Sequence, residues 1–314
     1  MKTNIDTLDK ETLTRVIGQY PYEPTIQTPG PYLLVSGGIH GNEPSGVLAI
    51  QRVFKKLLKE NLSLRGKIVG VAGNLVALKK GVRMIDSDLN RVCTSKNEEE
   101  LKAGKTLGFH EASEFNELVK IIENLETEEF NTIFHFMDLH TTSSKTPPYI
   151  SVNRREESFN FAKQIPLPVV KGIEKYIPGH FDHYQTTRGH AGFTMEAGQH
   201  DDPKSIDYHE AAIWIVMVKT GMLEKADIPY DHYHSMLESA SPTHDNFEVT
   251  YRQEIGEDHY FRMDPGYANF TKINKGQRLA TLDGETIVSN YSGRVFLPLY
   301  QTQGSDGFFI VKPA

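Results

Sequence analysis

Two short segments carry residue types that together could hold a metal ion. His40 and Glu43 stand three residues apart, among Gly37, Gly38 and Gly41, and His140 closes a mainly apolar run over 133–139 that also contains Asp138. Two imidazoles and one carboxylate are the ligand set of a catalytic zinc, the fourth position being left to water or substrate. A His-x-x-Glu pair alone occurs in many polar loops. The adjoining glycines and the later Asp-x-His at the end of an apolar run turn it into a ligand set, and the pattern predicts a zinc hydrolase. Asp138 is placed either to orient an imidazole or merely to cap the edge of the core.

Other residues acquire meaning beside such a site. The segment from Arg83 to Arg91 contains Asp86, Asp88, Asn90 and two arginines, and would ordinarily be a solvated loop. Next to a metal, its guanidinium groups can bind carboxylates in bidentate fashion and stabilise an oxyanion. Glu196 ends an apolar run, where a carboxylate can take a proton from an attacking water and pass it to a leaving amine. Read without the metal, it would more ordinarily be a capping or salt-bridged Glu. His180, His183, His190, His200 and His209 fall nearby in sequence, and one of them could replace an assigned ligand. His232 and His234 read as surface. Cys93 has no His beside it and reads as a buried small apolar residue.

Elements must bring these residues together. Residues 32–36 read as a short buried strand ending at Gly37, followed by a helix beginning near Pro44 with Val47, Ile50, Val53, Phe54, Leu57 and Leu58 at helical spacing. Further strands are expected at 67–72, 133–139, 149–152, 167–170 and 193–196, with helices over 111–125 and 207–222. Strands alternating with helices imply a mainly parallel sheet covered on both faces. Ligands in such folds bind beyond the carboxyl ends of the strands, and His40 and His140 both follow expected strand ends. From residue 247 onward the pattern changes to short β-type runs at 247–251, 278–282, 286–288, 294–297 and 308–311, separated by turn signals. The expected division is therefore a catalytic domain over 1–235 and a small all-β domain over 236–314.

Bulk properties narrow the partners. The chain has 314 residues and a formal net charge of −7, which argues against nucleic acid or an anionic membrane as the main partner. One cysteine excludes an intramolecular disulfide and fits a reducing compartment. No segment approaches the length of a membrane span, and residues 1–10 lack the apolar stretch of an export signal. A cytoplasmic enzyme is expected, with no nucleic-acid or membrane partner; whether it is a homodimer stays open.

Taken in order, Gly38-Ile39-His40-Gly41-Asn42-Glu43, Arg83 with Asp88-Leu89-Asn90-Arg91, Asp138-Leu139-His140-Thr141-Thr142 and Glu196-Ala197-Gly198 resemble the aspartoacylase/succinylglutamate desuccinylase branch of the zinc carboxypeptidase-like hydrolases. Residues 281–287 resemble the second domain of aspartoacylase, and the 184–188 stretch is more similar to aspartoacylase than to the desuccinylase. The resemblance implies a zinc-carboxypeptidase-like α/β/α sandwich with a mixed, mainly parallel sheet and a small all-β C-terminal domain. It implies one zinc ion held by His40, Glu43 and His140, with Glu196 as general base and acid and Arg83 polarising the scissile carbonyl. Asn90, Arg91 and Arg188 would hold the carboxylates of a small-molecule substrate, with Tyr184 lining the pocket. The expected reaction is hydrolysis of an N-acyl amino acid, N-acetylaspartate or a related acidic one. The alternatives are a succinylglutamate desuccinylase, or a metallocarboxypeptidase or peptide amidase using the same zinc set. A zinc-storage module without catalysis fits poorly with Glu196, Arg83 and Arg188 together. Aspartoacylases carry a substrate-contacting Tyr near the C-terminus, where this chain has Phe308 or Phe309.

Overall fold

The structure is a computed structural model describing residues 7–21, 28–127, 134–143, 145–256, 258–300 and 306–314. Its strands, in chain order, are β1 (Val16–Tyr20), β2 (Thr28–Gly37), β3 (Arg65–Ala72), β4 (Phe134–Thr142), β5 (Tyr149–Val152), β6 (Val169–Lys171) and β7 (Ala191–Gln199), followed by β8 (Asn246–Glu254), β9 (Phe261–Met263), β10 (Lys272–Ile273), β11 (Arg278–Leu282), β12 (Glu285–Val288), β13 (Gly293–Phe296) and β14 (Asp306–Pro313). The helices are α1 (Ser45–Glu60), α2 (Leu75–Lys80), the single turn α3 (Leu89–Val92), α4 (Ser95–Lys102), α5 (Glu111–Glu126), α6 (Glu156–Ala162), α7 (Phe181–Thr187), α8 (Lys204–Lys219) and α9 (Tyr230–Ala240).

Eleven strands form one sheet in the order β1-β3-β2-β4-β7-β5-β6-β8-β14-β13-β10. It contains the parallel run β3-β2-β4-β7, as the alternation of strands and helices required. The expected strand over 133–139 is β4, which starts at Phe134 in the described residues and runs on through His140 to Thr142; residue 133 lies outside them. The C-terminal strands are not detached from this sheet. β8 pairs in parallel with β6 at Val169↔Asn246 and carries β14, β13 and β10 beyond it, while β12-β11-β9 form a separate antiparallel sheet. Position 235/236 falls inside α9.

Side-chain alternation along the strands divides the core in two. Leu33 and Val35 of β2, Met137 and Leu139 of β4, and Phe193 and Met195 of β7 face α1 and α8. Tyr32, Leu34, Phe134 and Phe136 face α5 and α7 through Phe115, Leu118, Ile122 and Phe181. Each helix buries the stripe its sequence spacing creates, as Val47, Ile50, Val53, Phe54 and Leu57 do in α1. Helices on both faces make the α/β/α sandwich. Because successive residues of a strand alternate faces, Asp138 and His140 continue the Phe134–Phe136 row as polar groups on the α7 side.

Candidate active site

The loop after β2 is held by close backbone approach. Gly38 has φ of 72°, and a Cβ on Gly41 would lie 2.1 Å from the Ala77 carbonyl carbon of α2, so no other residue fits there without moving α2. The Gly41 N–H donates to the Arg83 carbonyl at 3.1 Å and the Glu43 N–H to the His40 carbonyl at 3.1 Å. This clamps the loop at the carboxyl ends of β2 and β4, next to Arg83.

His40, Glu43 and His140 converge there, each buried, with one potential ligand atom apiece all within 4.8 Å of one another. His40 Nδ1 lies 2.8 Å from Glu43 Oε1, and His140 Nδ1 lies 3.1 Å from Glu43 Oε2. The opposite ring nitrogens meet other carboxylates: His40 Nε2 is 3.0 Å from Asp88 Oδ1 and His140 Nε2 is 3.0 Å from Asp138 Oδ2. Asp138, fully buried, also accepts a hydrogen bond from the Ser36 hydroxyl at 2.7 Å. Glu43 Oε2 accepts the Thr141 N–H at 2.9 Å, and His209 Nε2 sits 3.1 Å from the His140 carbonyl oxygen.

This donor set fits a divalent cation. Two Nδ1 atoms and a carboxylate converge, while each Nε2 is backed by a carboxylate that orients the ring and raises its basicity. The electrostatics agree. Burial alone would raise Glu43, but the charges and hydrogen bonds of His40 and His140 hold it well below the usual carboxylate range. Burial would lower His140, yet Asp138 and Glu43 push it well above an ordinary imidazole. Asp88 is likewise held far down, against its burial, by His40, Arg83 and Arg91. So many buried carboxylates around two rings demand positive charge, from protons or from a metal that replaces them.

Arg83 and Arg91 flank this cluster and keep exposed surface. Arg83 Nη2 donates to Asp88 Oδ2 at 2.9 Å and Nη1 lies 3.7 Å from Glu43 Oε1, the side chain remaining 45% exposed. Arg91 donates to the Asn90 carbonyl at 2.8 Å and feels the charges of Asp88 and of Asp306 at the start of β14. The buried Asn90 uses its Oδ1 to accept the Phe181 N–H at 2.8 Å, anchoring the start of α7. Underneath, the fully buried Glu111 carboxylate accepts the N–H groups of Ile85, Asp86 and Ser87 and the Asn74 amide. It holds the loop between Arg83 and Asp88 in shape.

Glu196 sits one strand over from His140, paired with it in the parallel β4–β7 ladder. Its Oε2 is buried without a hydrogen-bond partner. Burial and the nearby Glu43 push its carboxyl up to about 7, against the lowering influence of His140, His40 and Arg83. The Cys93 thiol is buried, donates to the Leu89 carbonyl and is pushed well upward by burial and by Asp138, which suits an inert side chain.

Tyr184 and Arg188 lie elsewhere than expected. Tyr184, 2% exposed, points into the α5 side of the core, with its ring 5.0 Å from Phe115. Arg188 donates to Glu126 at 2.9 Å, to Glu98 at 2.8 Å and to the Tyr184 hydroxyl at 3.1 Å. Carboxylates delivered by α4 and α5 have taken the guanidinium, so it is not free to hold a substrate carboxylate, and Tyr184 lines no described part of the site. Arg188→Ala is therefore expected to leave KM within about twofold. It should lower stability by about 1–3 kcal/mol, because two carboxylates lose their partner in a partly buried network; thermal melting and steady-state kinetics check both. Phe308 and Phe309 are each 1% exposed and pack in the cores of the C-terminal strands.

Sequence reasoning assigned no role to Asp88, Thr141 or Glu111. Only Asp88 carried a usable signal, its position between two arginines in the 83–91 segment. The ring-orienting role weighed for Asp138 matches its contact with His140.

Comparison with known proteins follows the same lines. A succinylglutamate desuccinylase of Shewanella sp. (strain W3-18-1) is 24% identical over 292 residues, covering 86% of this chain and 78% of that protein. The crystal structure of a succinylglutamate desuccinylase/aspartoacylase from Rhodobacter sphaeroides superposes with a TM-score of 0.66 at 16% identity, covering 92% of this chain and 87% of that one. The succinylglutamate desuccinylase from Vibrio cholerae gives 0.67 at 14% identity, covering 91% and 82%; both structures share the fold. The model of the succinylglutamate desuccinylase/aspartoacylase catalytic domain matches residues 29–217, a span that includes His40, Glu43, Arg83, His140 and Glu196, and the chain belongs to that family of amide-bond hydrolases.

Proposed function

We propose that the protein is a zinc-dependent deacylase that hydrolyses the amide bond of an acidic N-acyl amino acid, giving a carboxylate and the free amino acid. The observation that carries this reading is the buried His40–Glu43–His140 convergence with Glu196, whose Oε2 lacks a hydrogen-bond partner, one strand over. A zinc ion held by the three ligands supplies Lewis acidity to the amide carbonyl and to the attacking water. Glu196, ionised, accepts the proton of that water and then gives it to the leaving nitrogen. Arg83 donates to the carbonyl oxygen as charge develops there. Arg91 binds a substrate carboxylate, with Arg83 beside it making the recess cationic in a net-acidic protein. Asp88 and Asp138 keep the two imidazoles in orientation.

The relatives named above are succinylglutamate desuccinylases, which makes N-succinylglutamate the first substrate to try beside N-acetylaspartate. The lone Cys93 fits a reducing compartment, and we place the enzyme in the cytoplasm. Among the described residues no helix is long and apolar enough to cross a membrane. The zinc-loaded protein should be assayed against N-succinylglutamate, N-acetylaspartate, neutral N-acetyl amino acids and short peptides. Acidic N-acyl amino acids are expected to lead the neutral ones by about 100-fold in kcat/KM, the size of one or two lost charged contacts. Cleavage of peptides alone would replace this reading with a peptidase.

A further inference from the structure

β5 runs antiparallel to β7 and sets Tyr149 directly across from Glu196. On its other side Glu196 pairs with His140. Laterally paired residues of a sheet share a face, so His140, Glu196 and Tyr149 form one row across three adjacent strands. Tyr149 is 2% exposed. Its ring is held edge-on by Phe296 at 5.0 Å and 77° and by Phe270 at 6.0 Å and 85°, both from the C-terminal half of the chain.

A buried tyrosine hydroxyl normally finds a hydrogen-bond partner. Among the described residues Tyr149 packs with Val170, Phe247, Phe270 and Phe296, and its hydroxyl makes no hydrogen bond to any of them. Burial, then the charges of Glu196 and Glu43, push the phenol well above its ordinary range, so near neutral pH it keeps its proton and is able to donate it in a hydrogen bond. A rigidly packed donor in the same row as Glu196 and His140, with no hydrogen-bond partner among the described residues, is available to something that enters the site.

We propose that Tyr149 is a substrate-contacting catalytic residue whose O–H donates a hydrogen bond to the amide carbonyl oxygen of the N-acyl amino acid as negative charge builds there, alongside Arg83. The inference rests on the deacylase reading and adds to it a second donor that comes from the sheet rather than from the loops. It also gives the C-terminal strands a part in the chemistry, since Phe270 and Phe296 fix the ring.

Tyr149→Phe tests it, because the ring and its packing stay while the hydroxyl goes. With wild type and variant both zinc-loaded, and the better of N-succinylglutamate and N-acetylaspartate as substrate, kcat is expected to fall about 10- to 100-fold with KM within about twofold. Zinc stoichiometry and melting temperature should not change, and affinity for a tetrahedral phosphinate analogue of the substrate should fall with kcat. A variant with wild-type kcat, or one changed in KM alone, overturns the assignment while leaving the deacylase reading intact. A wild type that cleaves no N-acyl amino acid overturns that reading and the Tyr149 assignment with it.

Discussion

The Glu196→Gln enzyme is expected to bind zinc as the parent does and to turn over about 10²–10⁴-fold more slowly, the usual contribution of a positioned general base. The amide keeps the shape of the side chain and its place in the β4–β7 ladder beside His140, but it cannot accept and return a proton. Glu196 is suited to that work because burial and Glu43 lift its carboxyl to about 7, close to the operating pH. A dication in the site pulls the group downward from there, since opposite charge favours the ionised form. The acid limb of kcat/KM in the wild type is therefore expected at or below about pH 7, with activity falling as pH drops and Glu196 takes up its proton. That limb should vanish in the residual activity of Glu196→Gln. Metal analysis and a pH–rate profile check both statements, and a variant with full turnover removes Glu196 from its role.

Chelation is expected to abolish turnover, one zinc per chain to restore it, and His140→Ala to lose both metal and activity. The structural reason is the concentration of buried carboxylates around two imidazoles. Without metal, His140 is held protonated by Asp138 and Glu43, and Glu43 is held ionised by His40 and His140. His140 has a folded-state pKa above its unfolded one, so its stabilisation is present below about pH 6.5 and is lost as pH rises through the higher folded value. Metal binding displaces those protons and gains affinity in the same direction. The difference in melting temperature between zinc-loaded and metal-free protein is thus expected to widen from pH 6 to pH 8. At free zinc about a thousandfold above Kd the stabilisation is about 4 kcal/mol. Melting curves with and without zinc at the two pH values measure it, and a difference that narrows as pH rises contradicts the ligand assignment.

Much of this was written locally in the chain. The convergence of His40, Glu43 and His140 could be anticipated because metal-ligating side chains come from few residue types and the glycines around His40 mark a tight loop. Strands β2, β4 and β7 and helices α1, α5 and α8 followed from apolar periodicity, because each buries one face against a neighbour whatever that neighbour is. Tyr184 and Arg188 could not be placed the same way. The rotation of α7 about its axis decides which way they point, and that depends on Asn90 capping Phe181 and on packing against Phe115. Short elements such as α3 and α7 bury too few residues to leave a periodic signature. The joining of β8 to β6 was equally hidden, since strand partners are chosen by edges that lie far apart in the chain.

By itself the sequence determined which residues offer a metal-ligand set, the alternation of strands and helices, and the change to short β-strands after residue 246, all of which are set by residue type and near-neighbour spacing. Tertiary structure alone decided which carboxylates each charged group meets and which guanidinium groups keep exposed surface. Arg83 and Arg91 stay exposed beside the cluster, whereas Arg188 is consumed by Glu98 and Glu126. A guanidinium pairs with whichever carboxylates packing delivers to it, and those come from helices whose approach no local pattern encodes.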